Sequence, residues 1–451
     1  MRPITRPTRV LSREEAARVE VGQTAVHPVV ASVLVGVFLS VLLVAQALQW
    51  VGGPLAGDED GASPVWSHLT GIAQEIRASQ TADPRVDVSL PHRVVAANRV
   101  VLAELRAVDD TLDHESVVGR LLRPTAQRVL SGWLGAGNEQ AYCGREGWLF
   151  YRPDVEYLTG PGFLDPAWLA RRAAEGEEWA SPPQPDPRAA IRQFTRQLKS
   201  RDITLIVMPT PVKPTIHPDK LARSYEGEPA APQNPSFAAA IEDFRAAGAL
   251  VFDPSDALLA AFDKTGRPQY LATDTHWRPE SMELVAGLLA GFVRRHVSLP
   301  AATDPGYRTE RSDVRAFGDL RTMLNLPVGK RLYPAETVSI RRVLGPDGAP
   351  WRPSRSADVL LLGDSFSNIY SLASMGWGES AGFAEHVSYA LGRPVDRIVQ
   401  NDNGAFATRA RLRQELASGA DRLAGKRLVI YQFGARELAF GDWKMLEWQT
   451  P

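Results

Sequence analysis

Two short stretches of the sequence carry residues that could perform nucleophilic catalysis. LLGDSFSN at 361–368 ends an apolar run in a Gly-Asp-Ser turn, and YLATDTHWRPE at 270–280 places Asp274 and His276 two residues apart. In an extended or turn conformation these two side chains project to the same side. A serine hydroxyl becomes a nucleophile when an imidazole takes its proton and a carboxylate fixes the imidazole tautomer. Ser365, His276 and Asp274 are therefore the predicted nucleophile, base and orienting acid.

Each stretch also has a plainer interpretation. Ser and Asp favour the turn between a buried strand and a helix, so Ser365 could be an ordinary helix N-cap. Asp274 and His276 could be a hydrogen-bonded structural pair at a helix start, or two ligands of a metal ion. No third ligand is apparent near the pair in sequence, so the sequence predicts neither a metal ion nor another cofactor.

Acyl transfer also needs hydrogen-bond donors for the oxyanion of the tetrahedral intermediate. The backbone N–H of Ser365 is one candidate, and the loop NDNGAFATR at 401–409 supplies Asn403, Gly404 and Arg409 as oxyanion or substrate-binding candidates. The alternative for this loop is a plain Asn-Gly turn. Arg436 follows another predicted strand and could bind substrate or pair with an acid, so it is left unassigned.

Short branched apolar runs separated by helix-patterned segments predict the elements that hold these residues. Such alternation is typical of a mostly parallel sheet covered by helices on both faces, an α/β fold. Functional residues of such sheets cluster at the carboxyl ends of the strands, where the Gly-Asp-Ser turn lies. The predicted strands are ITLIVMP (203–209), ALVFDP (249–254), DVLLLGD (358–364), DRIVQND (396–402) and RLVIYQF (427–433).

The amino-terminal segment predicts a single transmembrane helix. Residues 29–51 carry no charge, and at ~1.5 Å per residue a helix of this length spans the ~30 Å hydrocarbon layer. Arginines precede the segment and acidic residues follow it, which predicts a cytoplasmic tail over 1–28 and an extracytoplasmic main domain. A cleaved signal peptide is the alternative, because Ala45-Gln46-Ala47 has the small-x-small form of a cleavage site.

The rest of the chain divides into two predicted parts. Residues 52–134 form a linker and an amphipathic helical region, interpreted as a stalk or as helices packed on the main domain, because apolar residues recur there at helical spacing. Residues 135–451 form the predicted catalytic domain.

Composition excludes several classes of protein. The 451 residues are 44% apolar and 23% charged with a formal net charge of −1, which is ordinary globular material. No dense basic tract suggests a nucleic-acid partner. Cys143 is the single cysteine, so an intrachain disulfide and metal sites built on paired thiolates are excluded.

The order of several motifs resembles the AlgX/AlgJ family of alginate O-acetyltransferases. These motifs are GREGWLFYRPDVEYLTG (144–160), MPTPVKPTIHPDKL (208–221), DTHW (274–277), GDL (318–320) with MLNLP after it, and GDSFS (363–367). The resemblance covers about residues 144–443.

The resemblance implies an SGNH-hydrolase-like fold and a triad whose members match Asp274, His276 and Ser365. It further implies an exopolysaccharide O-acetyltransferase in the cytoplasmic membrane with its catalytic domain in the periplasm. Its partners would be a polysaccharide acceptor, an acetyl donor and a polytopic membrane O-acyltransferase. A carbohydrate acetylesterase with the same triad and a noncatalytic scaffold of a polysaccharide export complex are the alternatives.

Overall fold

A computed structural model of the chain describes residues 27–55, 72, 76, 94–95, 97–98, 100–107, 117–175, 182–225, 231–327 and 332–448. The chain divides into two compact units, residues 1–124 and 125–451.

The first unit contains helix α1, Pro28–Leu55, and residues 100–107 are also helical. Within the part of the chain that the structure describes, no helix combines the length and the apolar character needed to cross a membrane. The predicted span over 29–51 is therefore not confirmed. The predicted tail over 1–28 lies outside the described residues except for its last two, and much of the predicted linker before residue 94 also lies outside them.

The second unit is built on a five-stranded sheet whose strands are β3 Thr204–Thr210, β4 Leu250–Val251, β7 Val359–Gly363, β8 Asp396–Val399 and β9 Leu428–Gly434. Their order in the sheet is β4-β3-β9-β7-β8, and every neighbouring pair is parallel. All five predicted strands are confirmed, but β4 is much shorter than the predicted 249–254 and β8 ends three residues before the predicted 402. β7 and β9 are buried along their whole length, as expected for continuous apolar runs in a sheet covered on both faces.

The alternation of side chains along β7 shows how the two faces are filled. Val359 and Leu361 join one buried cluster, and Leu360 and Leu362 join the other, because successive side chains of a strand point to opposite faces. Helices cover both faces of this sheet. They are α5 Pro187–Lys199, α8 Phe237–Ala246 and α14 Gly404–Ala417 on one side, and α10 Pro279–His296 and α13 Phe383–Leu391 on the other.

Two antiparallel pairs of strands stand outside this sheet and were not predicted. β1, Ala141–Cys143, pairs with β2, Leu149–Tyr151. β5, Arg308–Ala316, pairs with β6, Glu336–Leu344, along its whole length. β5 reads RTERSDVRA, which is too charged to be recognised as a strand by apolar content.

The remaining helices are mostly short and connect these elements. They are α2 Val117–Trp133, α3 Arg152–Thr159, α4 Pro166–Ala174, α6 Lys213–Ile216, α7 Pro218–Leu221, α9 Ser255–Thr265, α11 Asp319–Met323, α12 Ser365–Asn368 and α15 Glu437–Phe440, with 3₁₀ turns at Arg223–Tyr225 and Ala373–Met375.

Candidate active site

The Gly-Asp-Ser turn lies at the carboxyl end of β7, and the N-cap of helix α12 is Asp364 rather than Ser365. The Asp364 carboxylate accepts a hydrogen bond from the Phe366 N–H at 2.9 Å. It also accepts bonds from the Gly434 N–H and the Gln432 amide at 2.6 and 2.8 Å. Because Asp364 is the capping residue, Ser365 is the first residue of the helix. Ser365 is 8% exposed. The interpretation of Ser365 as an ordinary N-cap is therefore wrong.

Asp274 and His276 form the pair that the sequence predicts. The two residues lie in the loop between α9 and α10, and His276 Nδ1 is 2.7 Å from Asp274 Oδ1. Both residues are at most 3% exposed. His276 Nε2 is buried and has no hydrogen-bond partner among the described residues. An imidazole with Nδ1 on a carboxylate and a free Nε2 has the geometry of a general base.

Contacts between the loop and the turn bring His276 next to the residue that follows Ser365. The His276 and Phe366 rings lie 4.9 Å apart between centroids. The Trp277 indole N–H donates to the Phe366 carbonyl at 3.1 Å, and the Tyr370 hydroxyl donates to the Trp277 carbonyl at 2.6 Å. These contacts join the loop that carries His276 to the turn that carries Ser365.

Two residues that support Asp274 were not predicted from the sequence as members of the site. The Trp377 indole N–H donates to Asp274 Oδ2 at 2.8 Å, and the Asp319 N–H donates to the same oxygen at 3.0 Å. Asp319 Oδ1 in turn accepts from the Thr275 N–H at 2.8 Å. Gly318 allows this approach, because a Cβ there would lie 2.0 Å from the Thr273 carbonyl oxygen. The GDL motif was the available sequence signal for Asp319, and no sequence signal indicated Trp377.

The electrostatics of the pair favour an ionised carboxylate. Burial acts to raise the pKa of Asp274, but the hydrogen bond and charge of His276 outweigh it and hold the pKa below its usual range. Burial acts to lower the pKa of His276, and the bond and charge of Asp274 raise it above its ordinary value instead. Burial and the charge of Asp274 raise the pKa of the partly exposed Asp319 to about 6.

Arg436 lies against this cluster and pairs with an acid, which is one of the two roles that the sequence leaves open. Its guanidinium is 3.1 Å from Asp154 Oδ1. It also lies over the Tyr151 ring at 5.2 Å and the Phe366 ring at 5.7 Å. Asp154 is fully buried, so Arg436 supplies the charge that a buried carboxylate requires.

The three residues predicted from the 401–409 loop occupy different environments. Gly404 packs on the Gly-Asp-Ser turn so closely that a Cβ would lie 2.4 Å from Asp364 Cβ. Asn403 precedes it in the left-handed conformation with φ of 50°, and its side chain is exposed and makes no capping bond. This is the Asn-Gly turn given as the alternative.

Arg409 does not have the contacts predicted for a substrate or oxyanion donor. It is 2% exposed and donates to the Ala405 and Lys444 carbonyls and to the Tyr431 hydroxyl. Its guanidinium also lies over the Trp443 ring. One helical turn separates Arg409 from Ala405, and this spacing directs the side chain into the core beside β9. Its contacts are those of a core residue that joins α14 to the carboxyl-terminal segment.

The structure brings a third potential metal ligand, Asp319, to the Asp274–His276 pair, which the sequence did not indicate. Ligand atoms of Asp274, His276 and Asp319 lie within 4.8 Å of one another. Both Asp274 oxygens already accept N–H donors, however, and His276 Nδ1 faces one of them. A cation would have to displace these hydrogen bonds, so the arrangement fits a positioned imidazole better than a metal centre.

Comparison with known proteins identifies the domain. The family model described as the SGNH hydrolase-like domain of acetyltransferase AlgX matches residues 142–435. The chain belongs to this family. The resemblance inferred from the motif order is confirmed, and with it the SGNH-like α/β fold.

Two relatives of this AlgX-type domain have informative names. The probable alginate O-acetylase AlgJ of Pseudomonas aeruginosa is 27% identical over 236 residues, which are 51% of this chain and 53% of that protein. The chain thus spans about half the length of this curated relative. The solved O-acetyltransferase domain of Pseudomonas putida AlgJ is 21% identical, covers 66% of this chain and 92% of its own, and superposes with a TM-score of 0.50. This likeness supports the fold.

Proposed function

We propose that this AlgX-type protein is an O-acetyltransferase that moves an acetyl group onto a hydroxyl of an exopolysaccharide through an acetyl-Ser365 intermediate. One observation carries the proposal. His276 has Nδ1 on the Asp274 carboxylate and a buried Nε2 to which no described residue bonds, and its ring lies against Phe366, the neighbour of Ser365. Membership of the AlgX-type acetyltransferase family supports the same reaction class.

The first half-reaction forms the intermediate. His276 Nε2 takes the Ser365 hydroxyl proton as Oγ bonds to the carbonyl carbon of the acetyl donor. The N–H of Ser365, which begins a helix and therefore lacks an intrahelical acceptor, is a donor to the resulting oxyanion. The bond from the acetyl carbon to the leaving group then breaks, and the leaving group takes the proton from His276.

The second half-reaction repeats these steps with a new acceptor. A sugar hydroxyl gives its proton to His276 Nε2 and bonds to the acetyl carbon. Collapse of the tetrahedral intermediate breaks the bond to Ser365 Oγ, which recovers the proton from His276. Asp274 stays ionised throughout and stabilises the imidazolium that forms twice in the cycle.

Three further parts of the proposal concern the setting of the reaction. We infer a single-pass anchor over 29–51 with the catalytic domain outside the cytoplasm, supported by the arginine asymmetry around this segment. A polytopic membrane O-acyltransferase would then deliver the acetyl group across the membrane. Because the curated relative is named for alginate, alginate oligosaccharide is the first acceptor to test.

Protease accessibility tests the anchor. Protease added to spheroplasts should digest the domain over 135–451 while the protein stays in the membrane fraction. Protection of that domain would overturn the topology.

Acetyl-serine formation tests the reaction. The wild-type protein should gain one acetyl mass after brief exposure to a reactive acetyl ester, and peptide mapping should place it on Ser365. The adduct should disappear in Ser365→Ala and persist in Ser367→Ala. Ser367 is the matched control, because its hydroxyl is buried two residues away and donates to Gln432 at 2.6 Å.

The acceptor distinguishes the possible activities. Added oligosaccharide should remove the acetyl group from Ser365 and form acetylated sugar. An acetylesterase would instead release free acetate, at a rate that the oligosaccharide does not change. A wild-type protein that forms no adduct would contradict the proposal and favour the noncatalytic scaffold.

A further inference from the structure

A fully buried lysine lies beneath the loop that carries the predicted acid and base. Lys213 is the first residue of α6, three residues past the end of β3, and is 0% exposed. Its ammonium donates to the backbone carbonyls of Ala272 at 2.8 Å and Asp274 at 3.1 Å, and to that of Leu149 in β2. Two of its three acceptors therefore belong to the loop, and one is the carbonyl of Asp274 itself.

The surroundings of Lys213 show why its charge is tolerated there. Among the ion pairs of the described residues none includes Lys213, and the Trp148 and Phe150 rings lie 5.0 and 5.1 Å from its nitrogen. Burying a charge without a counter-ion is costly unless dipoles replace the lost water. The three carbonyl dipoles fulfil that role, so the ammonium and the conformation of the loop depend on each other.

The opposite edge of the same loop is held by carboxylates. Glu336, at the start of β6, accepts from the N–H groups of Ala272 at 3.1 Å and Thr273 at 2.9 Å. Asp319 accepts from the Thr275 N–H at 2.8 Å. A cation thus fixes the carbonyl groups of the loop while anions fix its N–H groups, which leaves the peptide planes from 272 to 275 little freedom to rotate.

We propose that Lys213 is a positioning residue for acetyl transfer: its ammonium fixes the peptide planes that follow Ala272 and Asp274 and so fixes the direction from which Asp274 meets His276. This inference rests on the proposed function, since it names a residue that serves the same site. Lys213 reaches no substrate, because it is completely buried. Its loss should therefore lower kcat and leave the KM for the donor unchanged.

The proposal has a consequence for pH dependence. Burial lowers the pKa of Lys213 to about 8, against the opposing charges of Glu336, Asp274, Asp319 and Asp154. Among the described residues His217 also faces Lys213, and burial and the charges of Lys213 and Lys220 lower its pKa to about 3, so it is neutral in this range. As pH rises through about 8, Lys213 loses its charge and one donor, and the rate should fall.

The test compares Lys213→Met with Lys426→Met. Lys426 is a matched control, because it is also buried and donates to two backbone carbonyls, those of Arg355 and Ala357, at 2.6 and 2.8 Å. It lies just before β9, at the amino ends of the strands and not among the contacts of the site. Both variants should unfold at a lower temperature than wild type.

Only Lys213→Met should lose acylation. We expect a roughly 10²-fold lower single-turnover rate of Ser365 acetylation, the scale at which small misplacements act, with donor KM within about twofold of wild type. The low-field proton resonance of His276 Nδ1, which reports its bond to Asp274 without any substrate, should shift or broaden in this variant alone. A rate and resonance like those of Lys426→Met would overturn the proposal.

A second variant keeps the test decisive if Lys213→Met does not fold. Lys213→Gln retains neutral donors, so it should recover part of the rate and lose the fall that is expected of wild type above about pH 8. A Lys213→Gln variant that acetylates Ser365 at the wild-type rate would overturn the proposal. If wild type forms no acetyl-Ser365, the proposed function fails, and the low-field resonance between pH 6 and 10 still decides whether Lys213 positions the His276–Asp274 pair.

Discussion

Replacing Asp274 by Asn tests the acid of the site with little change of shape. One carboxylate oxygen accepts from the His276 backbone N–H and faces Nδ1, and the other accepts from the Asp319 N–H and the Trp377 indole. An amide must place its NH₂ against one of these sets of donors. If the NH₂ faces His276, Nδ1 must accept, the proton moves to Nε2, and the imidazole can no longer take a proton from Ser365.

The expected magnitude follows from the distance between the two groups. Unit charges 2.7 Å apart attract by about 6 kcal/mol at an effective dielectric constant of about 20. Losing this support for the imidazolium corresponds to a rate loss of roughly 10⁴-fold at 1.36 kcal/mol per tenfold. The same substitution in the Ser-His-Asp protease template also costs about 10⁴-fold.

The assay is single-turnover acetylation of Ser365 followed by intact mass, with thermal unfolding measured alongside. Asp396→Asn is the matched control, because Asp396 is fully buried and charge-paired with Arg422 and Lys426. It is the first residue of β8, at the opposite end of the strands from the site. That variant should be destabilised by about 3–5 kcal/mol and acylate at the wild-type rate. Acylation of Asp274→Asn within tenfold of wild type, or equal losses in both variants, would refute the assignment of Asp274 as orienting acid.

Three further outcomes are expected. The acylation rate should rise with pH through a midpoint above 6.5, because Asp274 raises the pKa of His276 by more than burial lowers it. A pH–rate profile with its midpoint below 6.5 would count against His276 as the base. Gly404→Ala should lower stability by about 1–3 kcal/mol and slow acylation, since its Cβ would lie 2.4 Å from Asp364 Cβ; an unchanged melting temperature would contradict this close packing. Arg436→Met should lower the free energy of unfolding by about 3–5 kcal/mol at pH 7, because it leaves Asp154 buried and unpaired. The loss should shrink towards pH 5 as Asp154 takes a proton. Denaturant titrations at both pH values measure the loss, and equal losses would exclude this cause.

The elements predicted well from the sequence are those in which consecutive residues are apolar. β7 and β9 are apolar at nearly every position and are buried on both faces, so their composition determines their place in the sheet. The pairing of Asp274 with His276 was also predictable, because two residues of spacing suffice to bring the side chains together.

The residues that sequence reasoning missed are joined to the site only by tertiary contacts. Trp377 bonds to Asp274 across 103 residues, and the chain near Trp377 contains no chemistry-bearing motif. β5 is amphipathic and mostly exposed, so its pairing with β6 is not visible in apolar content. Arg409 was assigned to the site because it follows a strand end, yet its helical phase directs it into the core.

The two halves of the site are held in different ways, and this difference explains where the site should be most sensitive to change. Ser365 lies two residues past the end of β7, and Asp364 between them binds the end of β9, so the turn is fixed by the sheet itself. The Asp274–His276 loop belongs to no strand of that sheet. It depends on charged side chains from Lys213 after β3, Glu336 at the start of β6 and Asp319 after β5. Substitutions in the β5–β6 ribbon should therefore displace the base before they disturb the nucleophile, although the ribbon touches neither reacting atom.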